Sequence, residues 1–359
     1  MKKIFLSLLC LLFLTVEINA QLNETVNKPL ENFEAFRQLF HDNYAFFEEK
    51  NINWDSISRI HRERVTENTN DEALFHTFCE MVKPLEDAHV NLIVQKEDMV
   101  FSAEKKSELI ARLQPIKGKI WESFNEMLEA SLKQNGFNDI KSLGRDAGGV
   151  PLFQYGDNGK IGYLRVGRCF SSRIFRRGIG LKKQLNTIFK SFAGLEAIVI
   201  DIRMNPGGIN GFSEAVLGRL TDKKVVGYYK QTKKNSEFDA LEPQYIKPKG
   251  KAKFLKPVYL LTNDKSVSAA DLMALMMSEL EHVTIVGENT NGSYSDMYVE
   301  KLPNKWMVTL SNQRYLSASK INYEGIGTPV DVEVKNTVEN YINKNDKILN
   351  TAFELMEMN

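Results

Sequence analysis

The chain has 359 residues, 43% hydrophobic and 26% charged, with a formal net charge of +1. That profile is globular and long enough for one large domain plus a smaller one. The near-neutral balance argues against nucleic acid as the main partner and supplies no electrostatic pull toward a membrane surface.

Residues 1–20 read as a secretory signal peptide. Lys2 and Lys3 form a basic start, Ile4 to Val16 is almost wholly apolar, and Ile18-Asn19-Ala20 ends in a small residue before Gln21. The run is short for a membrane span, and no later stretch is long and apolar enough to be one. The expectation is an exported protein, periplasmic or extracellular, with no stable membrane insertion after signal cleavage. Cys79 and Cys169 remain after cleavage. Export permits a disulfide, but both sit in apolar contexts that suit buried free thiols, and no Cys/His spacing of a zinc site occurs.

Residues 21–95 form an N-terminal helical region. Phe33, Phe36, Leu39 and Phe40 share one face of a first helix. Trp54-Asp55 opens a second, through Ile57, Ile60 and Val65. Asp71 starts a third, with Leu74, Phe75, Phe78, Met81 and Val82, which Pro84 ends. A loop, Leu85-Glu86-Asp87-Ala88-His89-Val90, leads into a strand at Asn91–Val94. Residues 96–158 read as a helical insert and connector: charged and helical over Phe101 to Gly144, then a glycine-containing link from Asp146 to Asp157.

From residue 159 to 359 the grammar becomes strand, helix, strand. Strands are expected at Ile161–Val166, Ala197–Ile202, Pro257–Leu261 and Val283–Val286, and helices at Leu181–Phe192 and Phe212–Leu220. This alternation implies an α/β domain with a mostly parallel sheet flanked by helices. Two antiparallel strands, Met297–Leu302 and Trp306–Ser311, follow. A last strand by Val334 and a terminal helix from Val338 close the chain. Sites in such sheets lie outside the carboxyl ends of the strands, where Asn205-Pro206-Gly207-Gly208 and Ser268 both fall.

Ser268 stands between the Pro257 strand and a helix carrying Leu272, Met273, Leu275 and Met276. At a helix mouth, N–H groups without partners can stabilise an oxyanion while a hydroxyl attacks a carbonyl. The same serine also reads as a plain N-cap. A serine nucleophile needs a base. His41, His61 and His76 lie in helical patterns and His282 ends a helix. His89 is on a loop beside an acid, where it also reads as a structural histidine. The paired glycines allow close backbone approach to a ligand, or simply a turn before a helix.

Together these segments resemble the serine peptidase family that includes the tail-specific (C-terminal processing) proteases, the tricorn core protease and the repeats of interphotoreceptor retinoid-binding protein. The resemblance is carried by NYAFFEEKNINWDSI, LEDAHVNL, IGYLRV, IVIDIRMNPGG, SVSAADLM, GENTNGSYSD and YEGIGTPVDVEV, in that order. It implies a ClpP/crotonase-like core with a small N-terminal helical cap. It also implies a nucleophile at Ser268 and an oxyanion hole from Ala269 with Gly207 or Gly208. Where the tail-specific branch has a lysine base, this chain has Ser293. The resemblance is closer to the tricorn-like branch, which implies His89 as base and Glu324 as supporting acid. Tricorn has a serine just before its histidine, whereas Ala88 stands here, so Ser293 or Ser295 is a candidate bridge. No β-rich, tail-binding PDZ module is evident. The expected function is an exported serine peptidase acting on a peptide or protein through an acyl-enzyme, with no metal or cofactor. The alternatives are a non-catalytic binder of peptide or hydrophobic ligand on the same fold and, more weakly, a hydrolase of other acyl groups.

Overall fold

The computed structural model describes residues 28–116, 119–145, 149–170 and 179–358; the expected signal peptide, residues 1–20, lies outside them. The chain opens with helices α1 (Pro29–Asn43), α2 (Trp54–Arg62) and α3 (Asp71–Val82). Asn53 and Asn70 start α2 and α3 by accepting the Ser56 and Ala73 N–H groups, each at 2.9 Å. The aromatic stripe of α1 is buried against Trp54 and Phe78, with the Phe36 and Phe78 rings stacked 4.0 Å apart. Strand β1 (Asn91–Val94) follows and shares this core with Trp306, Val308 and Leu310 from far along the chain.

The segment expected to be helical from Phe101 to Gly144 is mixed. It contains β2 (Met99–Ser102), α4 (Glu108–Arg112), α5 (Ile120–Gln134) and β3 (Lys141–Arg145). Phe101 pairs with Leu92 across β1 and packs on the aromatic core, so local pairing overrides the helical pattern. The expected connector contains a strand, β4 (Pro151–Asp157), which buries Leu152, Phe153 and Tyr155. Its glycine hid it: a Cβ on Gly156 would lie 2.6 Å from the Asp139 carbonyl oxygen, so close packing requires glycine there.

The core contains β5 (Ile161–Val166), α6 (Ile179–Ser191), β6 (Ala197–Asp201), α7 (Asn210–Leu217), β7 (Val225–Lys234), β8 (Glu237–Phe238), β9 (Glu242–Ile246), β10 (Val258–Thr262) and α8 (Ala269–Met277). It continues with β11 (Val283–Gly287), β12 (Met297–Lys301), β13 (Met307–Ser311), β14 (Gln313–Leu316), β15 (Val332–Glu333), α9 (Val338–Ile342) and α10 (Lys347–Met358). Among the described residues, the main sheet runs β15-β11-β10-β6-β5-β4-β3. It is parallel from β15 to β5 and antiparallel at β4 and β3. Alternate residues of each strand feed opposite faces. Ile198 and Ile200 pack under α6, α7 and α8, while Val199 meets the layer of α5 and α10. This is the expected α/β class, with a mostly parallel sheet between helices.

A second sheet, β12-β13-β1-β2, joins the N-terminal region to the late hairpin. Strands β7, β9 and β14 make a further antiparallel unit, which local patterning over residues 221–256 did not assign. The terminal helix is divided into α9 and α10. Asp346 interrupts it, pairing with Arg203 at 2.8 Å and accepting the Leu349 N–H at 3.2 Å. Cys79 and Cys169 are buried free thiols in separate cores. Among the described residues, no helix is long and apolar enough to cross a membrane.

Candidate active site

Adjacent parallel strands β6, β10 and β11 deliver their following loops to one edge of the sheet. The loops after β6 and β10 are laced together. Asn205 Nδ2 donates to Val166 O at 2.8 Å, and the Val267 N–H donates to Asn205 O at 3.0 Å. Ser266 Oγ donates to Ile202 O at 2.9 Å. Beneath them, the buried Arg203 guanidinium pairs with Asp201 at 2.6 Å and with Asp346.

Ser268 is half-buried at the start of α8, with φ 59° and ψ −118°. A left-handed conformation in a non-glycine residue costs on the order of 1–3 kcal/mol and persists only where its surroundings impose it. Gly207 (φ 85°) is one such surrounding. A Cβ there would lie 2.8 Å from Ser268 Cβ and 2.9 Å from Ala269 N, so only glycine permits this approach. The Gly207 N–H is taken by Asn205 Oδ1 at 2.8 Å. The Ala269 N–H is at the first helical position, where no intrahelical acceptor exists. Gly208 N–H has no acceptor among the described residues.

Asp271 reaches back from the third position of α8 and accepts the Ser268 N–H on Oδ2 at 2.8 Å, the acid half of a capping box. It also accepts Gly292 N–H on Oδ1 at 2.8 Å and Ser293 N–H on Oδ2 at 3.1 Å. Burial pushes its carboxyl up to about 6, against the hydrogen bonds that favour the charged form. The loop after β11 in turn packs on the Glu324 loop, where the Gly325 N–H donates to Gly292 O at 2.7 Å. Glu324 Oε2 accepts the Tyr294 N–H at 3.1 Å.

His89 comes from the other sheet, immediately before β1. Asp87 Oδ1 accepts its N–H at 2.8 Å and the Ser311 hydroxyl at 3.1 Å, and Asp87 Oδ2 accepts the Tyr44 hydroxyl at 3.1 Å. Thr309 Oγ1 donates to the His89 carbonyl at 2.6 Å. The main chain is pinned, yet the buried Nδ1 of the ring has no partner among the described residues. Burial lowers the imidazole from 6.5, opposed by the charges of Asp87 and Asp296. Burial and the Asp87 charge raise the Glu324 carboxyl well above its usual range, with Lys50 opposing.

Among the described residues, no hydrogen bond directly joins Ser268 Oγ, the His89 ring and the Glu324 carboxyl. Asp271 and the 292–294 segment connect the Ser268 turn to the Glu324 loop, and the Asp87 charge acts on both His89 and Glu324. The two candidate bridges are otherwise engaged. Ser293 Oγ donates to Asn291 Oδ1 at 2.6 Å, and Ser295 Oγ donates to Asp296 O at 2.8 Å. Sequence reasoning assigns no role to Asp271 or Tyr294 and takes Asn205 only as part of the glycine turn. The Ser-x-x-Asp spacing of residues 268–271 and the Asn-x-Gly spacing of residues 205–207 were the available signals, since both patterns let a side-chain oxygen accept a nearby N–H.

A strained serine at a helix mouth beside a glycine turn is an arrangement that suits a nucleophile next to an oxyanion site. Residues 160–334 match the model of peptidase family S41, and residues 26–83 match that of the Tricorn protease C1 domain. A carboxy-terminal-processing protease of Bartonella bacilliformis is 27% identical over 199 residues, 55% of this chain and 44% of that protein. The chain thus matches less than half the length of that curated relative. A candidate peptidase from Parabacteroides merdae superposes with a TM-score of 0.75 at 25% identity, covering 92% of this chain and 96% of that one. Mature CPAF shares the fold, with a TM-score of 0.66 at 13% identity over 93% and 99% of the two chains.

Proposed function

We propose that the chain is an exported endopeptidase that cleaves peptide or protein substrates through an acyl-enzyme. Ser268 Oγ bonds to the scissile carbonyl carbon, and His89 takes the hydroxyl proton. The C–N bond then breaks as His89 returns that proton to the leaving amine, and water releases the acyl group by the same route. Ala269 and Gly208 N–H groups stabilise the oxyanion, while Gly207 supplies the close approach. Glu324 supports the base side. These steps use no metal or cofactor. The observation that carries the reading is the left-handed Ser268 held against Gly207 beside two N–H groups free of acceptors among the described residues. The absence of direct triad hydrogen bonds is compatible with it, because catalytic contacts tighten when substrate binds.

The curated relative is named for carboxy-terminal processing. Between β2 and β4, the described residues of this chain hold α4, α5 and β3 and no separate β-rich module. We therefore propose internal cleavage of an extended peptide, without capture of a free carboxylate by a PDZ groove. Fluorophosphonate labelling of the full chain, with mass spectrometry to locate the adduct, tests the assignment. The adduct is expected on Ser268, absent in Ser268→Ala and slowed about 10²–10⁴-fold in His89→Ala. Folded protein that takes no label would sink the peptidase mechanism and favour a non-catalytic binder of peptide or hydrophobic ligand.

A further inference from the structure

We propose that Asp271 is a positioning residue for the reaction: its carboxylate locks the Ser268 turn to the loop after β11 in the geometry in which the hydroxyl reacts. This rests on the reading of Ser268 as nucleophile. Asp271 is fully buried, and no cation pairs with it among the described residues. Its partners are the N–H groups of Ser268, Gly292 and Ser293 and the side chain of Thr290. A buried carboxylate without a cation is costly, and helix capping alone does not need one, since asparagine caps α2 and α3.

The donor count explains the choice. Two carboxylate oxygens offer about four lone pairs to converging donors, whereas an asparagine would turn an NH₂ group toward backbone N–H groups. One carboxylate therefore clamps two loops that are 21 residues apart in sequence. Protonation would place an O–H among donors and loosen the clamp. Its raised ionisation, about 6, brings that event into a measurable range. The titratable groups that feel its charge are Tyr294, from the same loop, and Glu324, from the loop packed upon it.

The test is saturable fluorophosphonate inactivation of the full chain, which separates the maximal rate from probe affinity, followed across pH. Asp271→Asn is expected to lower the maximal rate about 10²-fold, the scale of a misplaced oxyanion donor, while leaving probe affinity within about threefold. Asp271→Glu should recover part of the loss. Thr290→Val is the second variant and removes one stabilising hydroxyl at equal size. It should move the acid limb governed by Asp271 to higher pH by about half a unit to one unit, because that bond favours the charged form. Wild-type rates in folded Asp271→Asn would overturn the proposal. If that variant does not fold, an unmoved limb in Thr290→Val would overturn it. Wild-type protein that never labels at Ser268 would instead overturn the nucleophile assignment on which the proposal rests.

Discussion

The two halves of the candidate site are built differently. The nucleophile half grows from neighbouring parallel strands, and apart from the Ala269 and Gly208 N–H groups its backbone is tied by hydrogen bonds and close packing. Asn205 closes the glycine turn, Gly207 fits the Ser268 turn, and Asp271 gathers three N–H groups. The base half joins β1 to loops from the core, and its polar groups are only partly paired. His89 has a fixed backbone but an Nδ1 without a partner among the described residues, and Glu324 is a carboxyl that resists ionisation. Backbone geometry can preorganise an oxyanion site before substrate arrives. A buried charge pair cannot be held ready as cheaply, because each desolvated ion is costly until its partner is in place.

The largest expected effect tests whether the satisfied half is the chemical one. Ser268→Ala should abolish labelling and reduce peptide hydrolysis by at least about 10³-fold, with thermal stability little changed because alanine keeps the same Cβ at the same positive φ. Hydrolysis near the wild-type rate would move the chemistry elsewhere. His89→Gln should cost about 10²–10⁴-fold in maximal rate. Its pH behaviour carries the sign of burial. The folded imidazole stays neutral below 6.5 while the unfolded one takes up a proton, so stability falls as pH drops through 6.5 toward the depressed folded value. Unfolding midpoints of His89→Gln should lose that part of the acid slope, while the wild type keeps it.

A middle-sized effect probes the fit between the halves of the nucleophile turn. Gly207→Ala must place a methyl against Ser268 Cβ and Ala269 N at φ 85°, so labelling should fall about 10²-fold and stability by about 2 kcal/mol. Gly211→Ala is the matched control. It lies in α7 with no heavy atom near the new methyl, and helix propensity favours alanine by up to about 1 kcal/mol. Equal behaviour of the two variants, read by labelling rate and thermal midpoint, would remove Gly207 from the argument.

The same contrast explains what was legible in the sequence. The parallel core strands announced themselves as short runs of apolar residues, because burial on both faces leaves no room for polar alternation. Ser268 and the glycine pair could be placed at strand ends by that pattern alone. The β1–β13 pairing could not, since it joins Asn91 to Thr309 and depends on long-range registry. The sequence of β4 concealed its strand because Gly156 serves the packing of Asp139 and not a turn. In the sequence, Asp271 has nothing to distinguish it from an ordinary first-turn acid, which is favourable on any helix. Its second role appears only when Gly292 and Ser293 arrive from another loop.

The smallest expected effect separates a relay already formed from one assembled on binding. Glu324 is raised by burial and by the Asp87 charge, so its neutral form is favoured in the folded protein. Glu324→Gln copies that form. Its stability contribution follows from the same shift: present below the ordinary carboxyl range and lost as pH rises through the raised folded value. The glutamine variant should therefore gain stability relative to wild type as pH rises above the ordinary carboxyl range, as read by thermal midpoints. Activity should fall by less than about tenfold at mildly acidic pH, with the deficit growing as the wild-type carboxyl ionises. A loss as deep as that of Ser268→Ala at every pH would mean that an ionised Glu324 already works on His89 in the free enzyme. The base half would then be as preorganised as the nucleophile half, and the contrast between them would disappear.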